Sequence, residues 1–298
     1  MRIATHSVSD SVVRQIQKIG SQQARLQNQV ATGQRIFQPE DDPIAVSRVL
    51  NLESESRQML QYTRNADRAL EISQATYSGL QGLKKISDRG TEIGTLGSAA
   101  SDVDATRAYA TEVEQLLEQA LQLANSKLGN DYLYAGTAVD AQPFVATRDG
   151  AGRITAIAYA GNTDRAEIPL SASTTVTPNS SGDTNQAVGD FLNNLMALRD
   201  GLLAADHTAV QQAQSGLLAT EDALVSALGE HGGVQTRIEA SQAQVSDIAA
   251  TVETRISDEA DADMPSTIVK LTQSQTAYQA ALQSAANIMK LSLLDYIN

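Results

Sequence analysis

Cysteine and tryptophan are absent from this chain, and only three phenylalanines occur in its 298 residues. Without cysteine there are no disulfide staples and no thiolate metal sites, and the chain is compatible with either redox compartment. Aromatic residues make up only 4%, which argues against a single bulky globular core, since such cores lean on large rings. No apolar run approaches the roughly 18 residues needed to cross a bilayer, so membrane insertion is not expected. The opening residues, Met1-Arg2-Ile3-Ala4-Thr5-His6-Ser7, lack the apolar stretch of a secretory signal. The expectation is a cytoplasmic chain, or one exported by a route that cleaves no such signal. Basic charge is also scarce. The formal net charge is -13, which argues against nucleic acid as a partner, because phosphate binding needs basic patches.

What is abundant is Ala, Leu, Gln and Ser, a composition suited to long helices with narrow apolar seams. The acidic charge is concentrated in the middle. Residues 1–40 hold five basic and two acidic side chains, and residues 264–298 hold Lys270, Lys290 and Asp295. The two ends are therefore net +3 and +1, which leaves -17 of the total in between.

Heptad spacing dominates the pattern. Near the start, Val12, Ile16, Ile19, Gln23, Leu26 and Val30 recur at intervals of 4 and 3, as a coiled-coil seam does. Gly33 can end that helix. Near the end, Ile268, Leu271, Gln275, Tyr278, Leu282, Ala285 and Met289 repeat the spacing. Each terminal seam contains one glutamine, tolerated there or acting as a register device. An antiparallel pairing of the two helices would set Gln23 beside Gln275.

Between these ends, Asp42 and Pro43 form an N-cap and first-turn pair. The seam that follows runs from Ala45 to Leu80, and a helix over 43–88 would be roughly 70 Å long. Gly90, Gly94 and Gly97 are expected to break it. A third helix is expected over 103–128, with Thr106, Ala110, Val113, Leu117, Ala120 and Ala124 in its seam. From 131 to 185 helical periodicity stops. Phe144–Thr147 and Arg153–Tyr159 flank Asp149-Gly150-Ala151-Gly152 as a β-hairpin. Residues 167–170 and 174–176 are candidate short strands, and 178–183 a linker. Helices resume near Gln186. One seam runs from Val210 to Ala227, and another follows Gly232-Gly233 from Val234 to Val252. Met264-Pro265 marks the join to the last helix.

The predicted fold is mainly α, a long antiparallel helical coiled-coil rod with a small β-rich insert. Residues 1–42 with 257–298 are expected to form a terminal helical assembly domain. Residues 43–137 with 186–256 are expected to form the helical rod, and 138–185 a small β insert. If 33–42 and 257–265 are linkers, the terminal seams must be buried against each other or against copies of the chain.

Sites for chemistry are hard to defend. His6, His207 and His231 are isolated, without zinc-peptidase spacing, and are expected to be solvated or capping. The run Asp258-Glu259-Ala260-Asp261-Ala262-Asp263 lacks the glycine and terminal glutamate of a calcium loop. A helix break and a cap account for it better. Gly150-Ala151-Gly152 lacks the third glycine of a dinucleotide loop. Asn179-Ser180-Ser181 matches a glycosylation sequon, but a bland linker explains it. No nucleophile–base pair stands out, so neither an enzyme nor a cofactor is expected.

The motifs in order resemble a known family. Thr32, Gly33 and Arg35, within Ala31-Thr32-Gly33-Gln34-Arg35-Ile36, precede Asp41, Asp42 and Pro43, and together they are similar to the N-terminal signature of the flagellin-type axial proteins of bacterial flagella. Asp131-Tyr132-Leu133-Tyr134-Ala135-Gly136-Thr137 resembles that family's exit from rod to outer domain. Gly233–Glu239, Asp261–Asp263 and Leu291–Tyr296 resemble the returning helix, its end and a junction-type C-terminus. Linked motifs in order are more specific than any one alone.

The resemblance implies export through the flagellar type III channel to an extracellular position, and paired terminal helices forming an inner tube. It also implies an outward-facing insert and self-assembly at the hook–filament junction, with hook-associated protein 1 and flagellin as neighbours. A flagellar export chaperone is a candidate partner. A filament flagellin, or a surface adhesin or polysaccharide receptor on the same scaffold, is the alternative. Filament flagellins carry an Arg-Glu-Leu-Ala core where this chain has Ser87-Asp88-Arg89-Gly90, which favours the junction type.

Overall fold

In the computed structural model, the backbone is described over residues 2–297 and side chains over 10–287. Six helices carry the chain: α1 (Arg2–Thr32), α2 (Pro43–Ala99), α3 (Val103–Ala124), α4 (Gly182–Leu203), α5 (His207–Ala260) and α6 (Met264–Ile297). Three short antiparallel ribbons lie between α3 and α4. They are β1 (Lys127–Leu128) with β2 (Asp131–Tyr132), β3 (Phe144–Arg148) with β4 (Ile154–Tyr159), and β5 (Ile168–Pro169) with β6 (Thr175–Val176). The fold is thus mainly helical with small β elements. The chain divides into two compact units, Met1–Gln58 with Ala249–Asn298, and Met59–Ile248.

The larger unit is built on the expected seams. All six predicted seam residues of α3 are buried, as are Val210, Ala213, Leu217, Thr220, Leu224 and Ala227 of α5. Their apolar members join Leu80, Leu83 and Ile93 of α2 and Phe191, Leu195 and Leu198 of α4 in one apolar cluster. Phe144 and Ile154 of the hairpin are fully buried in the same cluster, so this ribbon completes the helical core. A few large side chains and many small ones fill the space, which is how a chain so poor in aromatics still closes a core.

Three expectations need correcting. Gly90, Gly94 and Gly97 do not break α2, which continues to Ala99 and is about 85 Å long. These glycines serve close packing. A β-carbon at Gly90 would lie 2.9 Å from Leu195 and 3.4 Å from Leu217, and one at Gly97 would lie 2.3 Å from Leu202. Helix propensity lost at a glycine, about 1 kcal/mol, is offset by the approach of α4 and α5. Likewise α5 runs unbroken through Gly232 and Gly233, because neighbouring turns on both sides are packed. Finally, 178–183 is not a solvated linker. Pro178, Ser180 and Ser181 are buried, and Ser181 is the N-cap of α4, its hydroxyl accepting the Thr184 N–H at 3.0 Å.

The exit motif after α3 is fixed by a polar network. Tyr134 is fully buried, and its hydroxyl donates to the Thr76 carbonyl at 3.0 Å. It lies over Gly79, where a β-carbon would fall 2.3 Å from the phenolic oxygen. Gly136 has φ +70°, a left-handed conformation that glycine adopts without strain. Next to it, Asn162 accepts the Thr137 N–H at 2.8 Å. The Tyr159 hydroxyl donates to the carbonyls of Tyr134 and Asn162 and accepts from Asn185 at 3.0 Å. Deeper in the unit, the Arg199 guanidinium is 4% exposed, bonded to Glu114 at 2.6 Å and to the Ile154 carbonyl at 2.7 Å.

Candidate assembly interface

The smaller unit holds the residues that the family signature singles out. α1 and α6 pack on one another, and two tie points give their direction. Gln34 pairs with Asp261 as an antiparallel bridge, and a β-carbon at Gly20 would sit 3.5 Å from the Tyr278 ring. As the first residue number falls, the second rises, so the helices are antiparallel and Gln23 is level with about residue 275.

The signature builds the turn between α1 and α2. Gly33 adopts φ +75°, and its N–H closes on the Gln29 carbonyl at 2.9 Å, the left-handed cap that ends a helix. Arg35 and Ala262 then exchange backbone bonds with the far strand, Arg35 N–H to the Ala260 carbonyl and Ala262 N–H to the Gly33 carbonyl, each 2.7 Å. The Arg35 guanidinium donates to the Glu259 carbonyl at 2.7 Å and pairs with Asp42 at 3.4 Å. Asp41 accepts the N–H groups of Phe37 and Gln38 at 3.0 and 3.1 Å and pairs with Arg25 at 3.3 Å. Asp42 accepts the Ala45 N–H at 3.0 Å, and Pro43 follows as the first residue of α2. Thr32 bonds back to the Asn28 carbonyl and accepts the Gln34 N–H. The backbone bonds, with help from Arg25, hold the Asp41 carboxyl below its usual range. For Asp42 the Ala45 N–H does most of this, with help from Arg35 and Arg48.

The seam of α1 falls where the spacing puts it. Val12, Ile16, Ile19, Gln23 and Val30 are half-buried and Leu26 is buried, while Val13 and most of their neighbours are exposed. The seam of α6 is rotated by one residue. Thr267, Ser274 and Ala285 are buried, and Leu271, Tyr278 and Ala281 half-buried, again at intervals of 4 and 3. Leu271, Tyr278 and Ala285 belong to the predicted set. Ile268, Gln275 and Leu282 instead face outward, with Ile268 48% and Leu282 45% exposed. Met289 lies outside the residues whose side chains are described. The cause of the rotation is size. Threonine, serine and alanine let the α6 backbone come close to α1, whereas branched Ile268 and Leu282 would hold it off. Hydropathy favours the larger residues and conceals this choice. Gln23 and Gln275 are level, but among the described residues no hydrogen bond joins them.

Among the described residues, the unit therefore leaves large apolar side chains 39–70% exposed: Val13, Phe37, Ile44, Leu50, Ile268, Val269 and Leu282. Ile36, Phe37, Val46, Val49, Leu50 and Ile256 line a groove of about 340 Å³. An ion pair that the sequence pattern did not suggest, Arg48 with Glu259 at 3.1 Å, ties α2 to α5 here. The acidic run 258–263 serves as structure. Asp261 accepts from Ser257, and the Asp263 carbonyl accepts the Thr267 N–H and hydroxyl at 2.9 and 2.8 Å. No group of metal-ligating side chains gathers among the described residues, and no described helix is long and apolar enough to cross a membrane.

Known proteins resemble this chain. Residues 3–138 match the family model of the bacterial flagellin N-terminal helical region. The chain is 26% identical to flagellar hook-associated protein 3 of Escherichia coli, over 98% of both proteins. To the same protein of Salmonella typhimurium it is 24% identical, again over 98% of both. The solved structure of FlgL from Bacillus cereus shares its fold, with a TM-score of 0.60 and 18% identity over 70% of this chain and 99% of that one. Motif order, the matched helical region and likeness from end to end agree: the chain is similar to the flagellin-type axial proteins and, along its length, to flagellar hook-associated protein 3.

Proposed function

We propose that the chain is a structural subunit of the bacterial flagellum, placed outside the cell at the hook–filament junction and acting by assembly, not by catalysis. The observation that carries this is the terminal unit, where α1 and α6 satisfy one face of each other and leave Ile268, Leu282 and Val13 bare. An exposed apolar face on a helix pair marks an interaction surface, and copies of the same chain supply its cover in a ring or helical array. Residues 1–42 and 257–298 make the assembly region, the helices over 43–137 and 186–256 the rod, and 138–185 the part that faces away from the tube. Hook-associated protein 1 on one side and flagellin on the other are the neighbours such a position implies.

Electron microscopy of intact flagella carrying a tagged copy tests this reading. The label is expected as a narrow band where hook meets filament. Label along the whole filament would make the chain a filament flagellin instead, and label confined to the cell interior would end the proposal.

A further inference from the structure

His231 lies on α5 in the larger unit and is only 3% exposed, where sequence reading expected a solvated or capping side chain. Its Nδ1 is 3.3 Å from the buried Ser73 hydroxyl of α2. The position of this pair is informative. One heptad away along α2 and α5 lie Ala66 and Ile238, which with Ala69 form a small apolar cluster under Leu170 and Val176 of the β5–β6 segment. On its other side, Leu80 and Leu224 belong to the large core. Ser73 and His231 are thus the polar layer between two separate apolar clusters.

The segment that covers the small cluster is held by few ties. Asn65 donates to the Pro169 carbonyl at 2.8 Å, Arg237 donates to the Thr175 carbonyl, and Arg165 pairs with Glu230 at 3.0 Å. Glu230 from α5 and Arg165 from the segment before β5 are the charged groups that act on the His231 ring, while α2 presents Ser73. Glu230, itself paired with Arg165, attracts a proton on the ring more than the guanidinium repels it, but burial outweighs that attraction. A charged imidazolium without a dedicated counter-ion is costly to bury.

We propose that His231 is an acid-triggered latch: protonation of its ring releases the β5–β6 segment from α2 and α5 while the large core stays folded. Burial, reinforced by Arg165, lowers the proton affinity of the folded ring, against a partial opposing pull from Glu230. The latch is therefore shut at neutral pH, where the ring is uncharged, and loosens as pH falls below the ordinary histidine value of 6.5. A single coupled proton allows opening to increase by up to about tenfold per pH unit in that range.

The absence of cysteine gives a clean test. Val176, 1% exposed, is replaced by cysteine in the full chain, and a second protein carries cysteine at exposed Ser173. Labelling rates with a thiol reagent active in acid are taken as the ratio of buried to exposed site, so that thiol ionisation cancels. The ratio is expected to rise about tenfold between pH 7.5 and 5, with far-ultraviolet circular dichroism unchanged. In a His231→Gln background, which removes the titrating ring, the ratio should stay flat. A flat ratio in the parent protein overturns the latch, even if His231→Gln fails to fold. An equal rise in both backgrounds assigns the opening to some other group and also overturns it.

Discussion

The two units solve the problem of burying apolar surface in opposite ways. In Met59–Ile248, four helices and a hairpin share one cluster, and Phe191, Leu195, Leu117 and Tyr134 are closed off completely. In the terminal unit, the buried apolar side chains among the described residues are Leu26, Ala45, Val252 and Ala285, two of them alanines. Both units use heptad seams, so periodicity alone does not separate them. The difference lies in how many faces each helix can satisfy within the chain. A helix pair satisfies one face, whereas a bundle with a hairpin satisfies most. An element made for assembly can therefore be recognised as a seam whose larger half is left facing water.

Leu282→Lys should break that contrast most sharply. Leu282 is exposed in the single chain, so the variant should fold and keep its helicity, but a lysine in the covered face of an array would be a buried, unpaired charge. Loss of junction assembly, scored by sedimentation and by motility of a complemented deletion strain, is expected with no change in monomer unfolding. Normal filament growth would remove α6 from the assembly surface. Arg199→Ala probes the other side of the contrast. It strands Glu114 in the packed unit and should lower stability by about 3 kcal/mol in urea unfolding, while labelling at the α1–α6 pair stays unchanged. A loss under about 1 kcal/mol, the worth of a surface pair, would show that the ion pair is not integral to the core.

The smallest expected effect concerns the signature turn. Asp41 and Asp42 have carboxyls held below their ordinary value by backbone N–H donors. Carboxylates with depressed folded values contribute stability above the unfolded value of 3.8 that is lost as pH falls through and below it. Amide exchange at Phe37, Gln38 and Ala45 should quicken between pH 5 and 2.5 once intrinsic rates are removed, with little change at Leu117. Equal protection at both pH values would mean that the carboxylates do not fix the turn.

Much of this was readable from residue spacing. The seams of α1 and α3, the Asp42–Pro43 start of α2, and the hairpin about Asp149–Gly152 all follow from short-range rules that depend on neighbours in sequence. What escaped depends on neighbours in space. Gly90, Gly94 and Gly97 look like helix breakers until Leu195, Leu202 and Gln214 are seen against them. His231 looks solvated until Ser73 faces it. The rotation of α6 escaped because apolar content points to Ile268 and Leu282, while the choice of contact face is made by the small size of Thr267, Ser274 and Ala281.

The hairpin carries a practical consequence. Phe144 at its base and Ile154 beside its turn are both buried in the core, and Arg148 pairs with Glu118, so the ribbon is not dispensable. Its tip is different. Asp149 accepts the N–H groups of Ala151 and Arg153 at 2.9 Å, Gly152 adopts φ +85°, and a β-carbon at Gly150 or Gly152 would meet nothing within 4 Å. A foreign peptide spliced between Gly150 and Gly152 would be displayed on a rigid two-stranded stem, at one copy per subunit, without loading the helices beneath. The turn is thus a ready graft point for antigens or affinity tags, and a loop epitope there should be accessible to antibody in the folded chain.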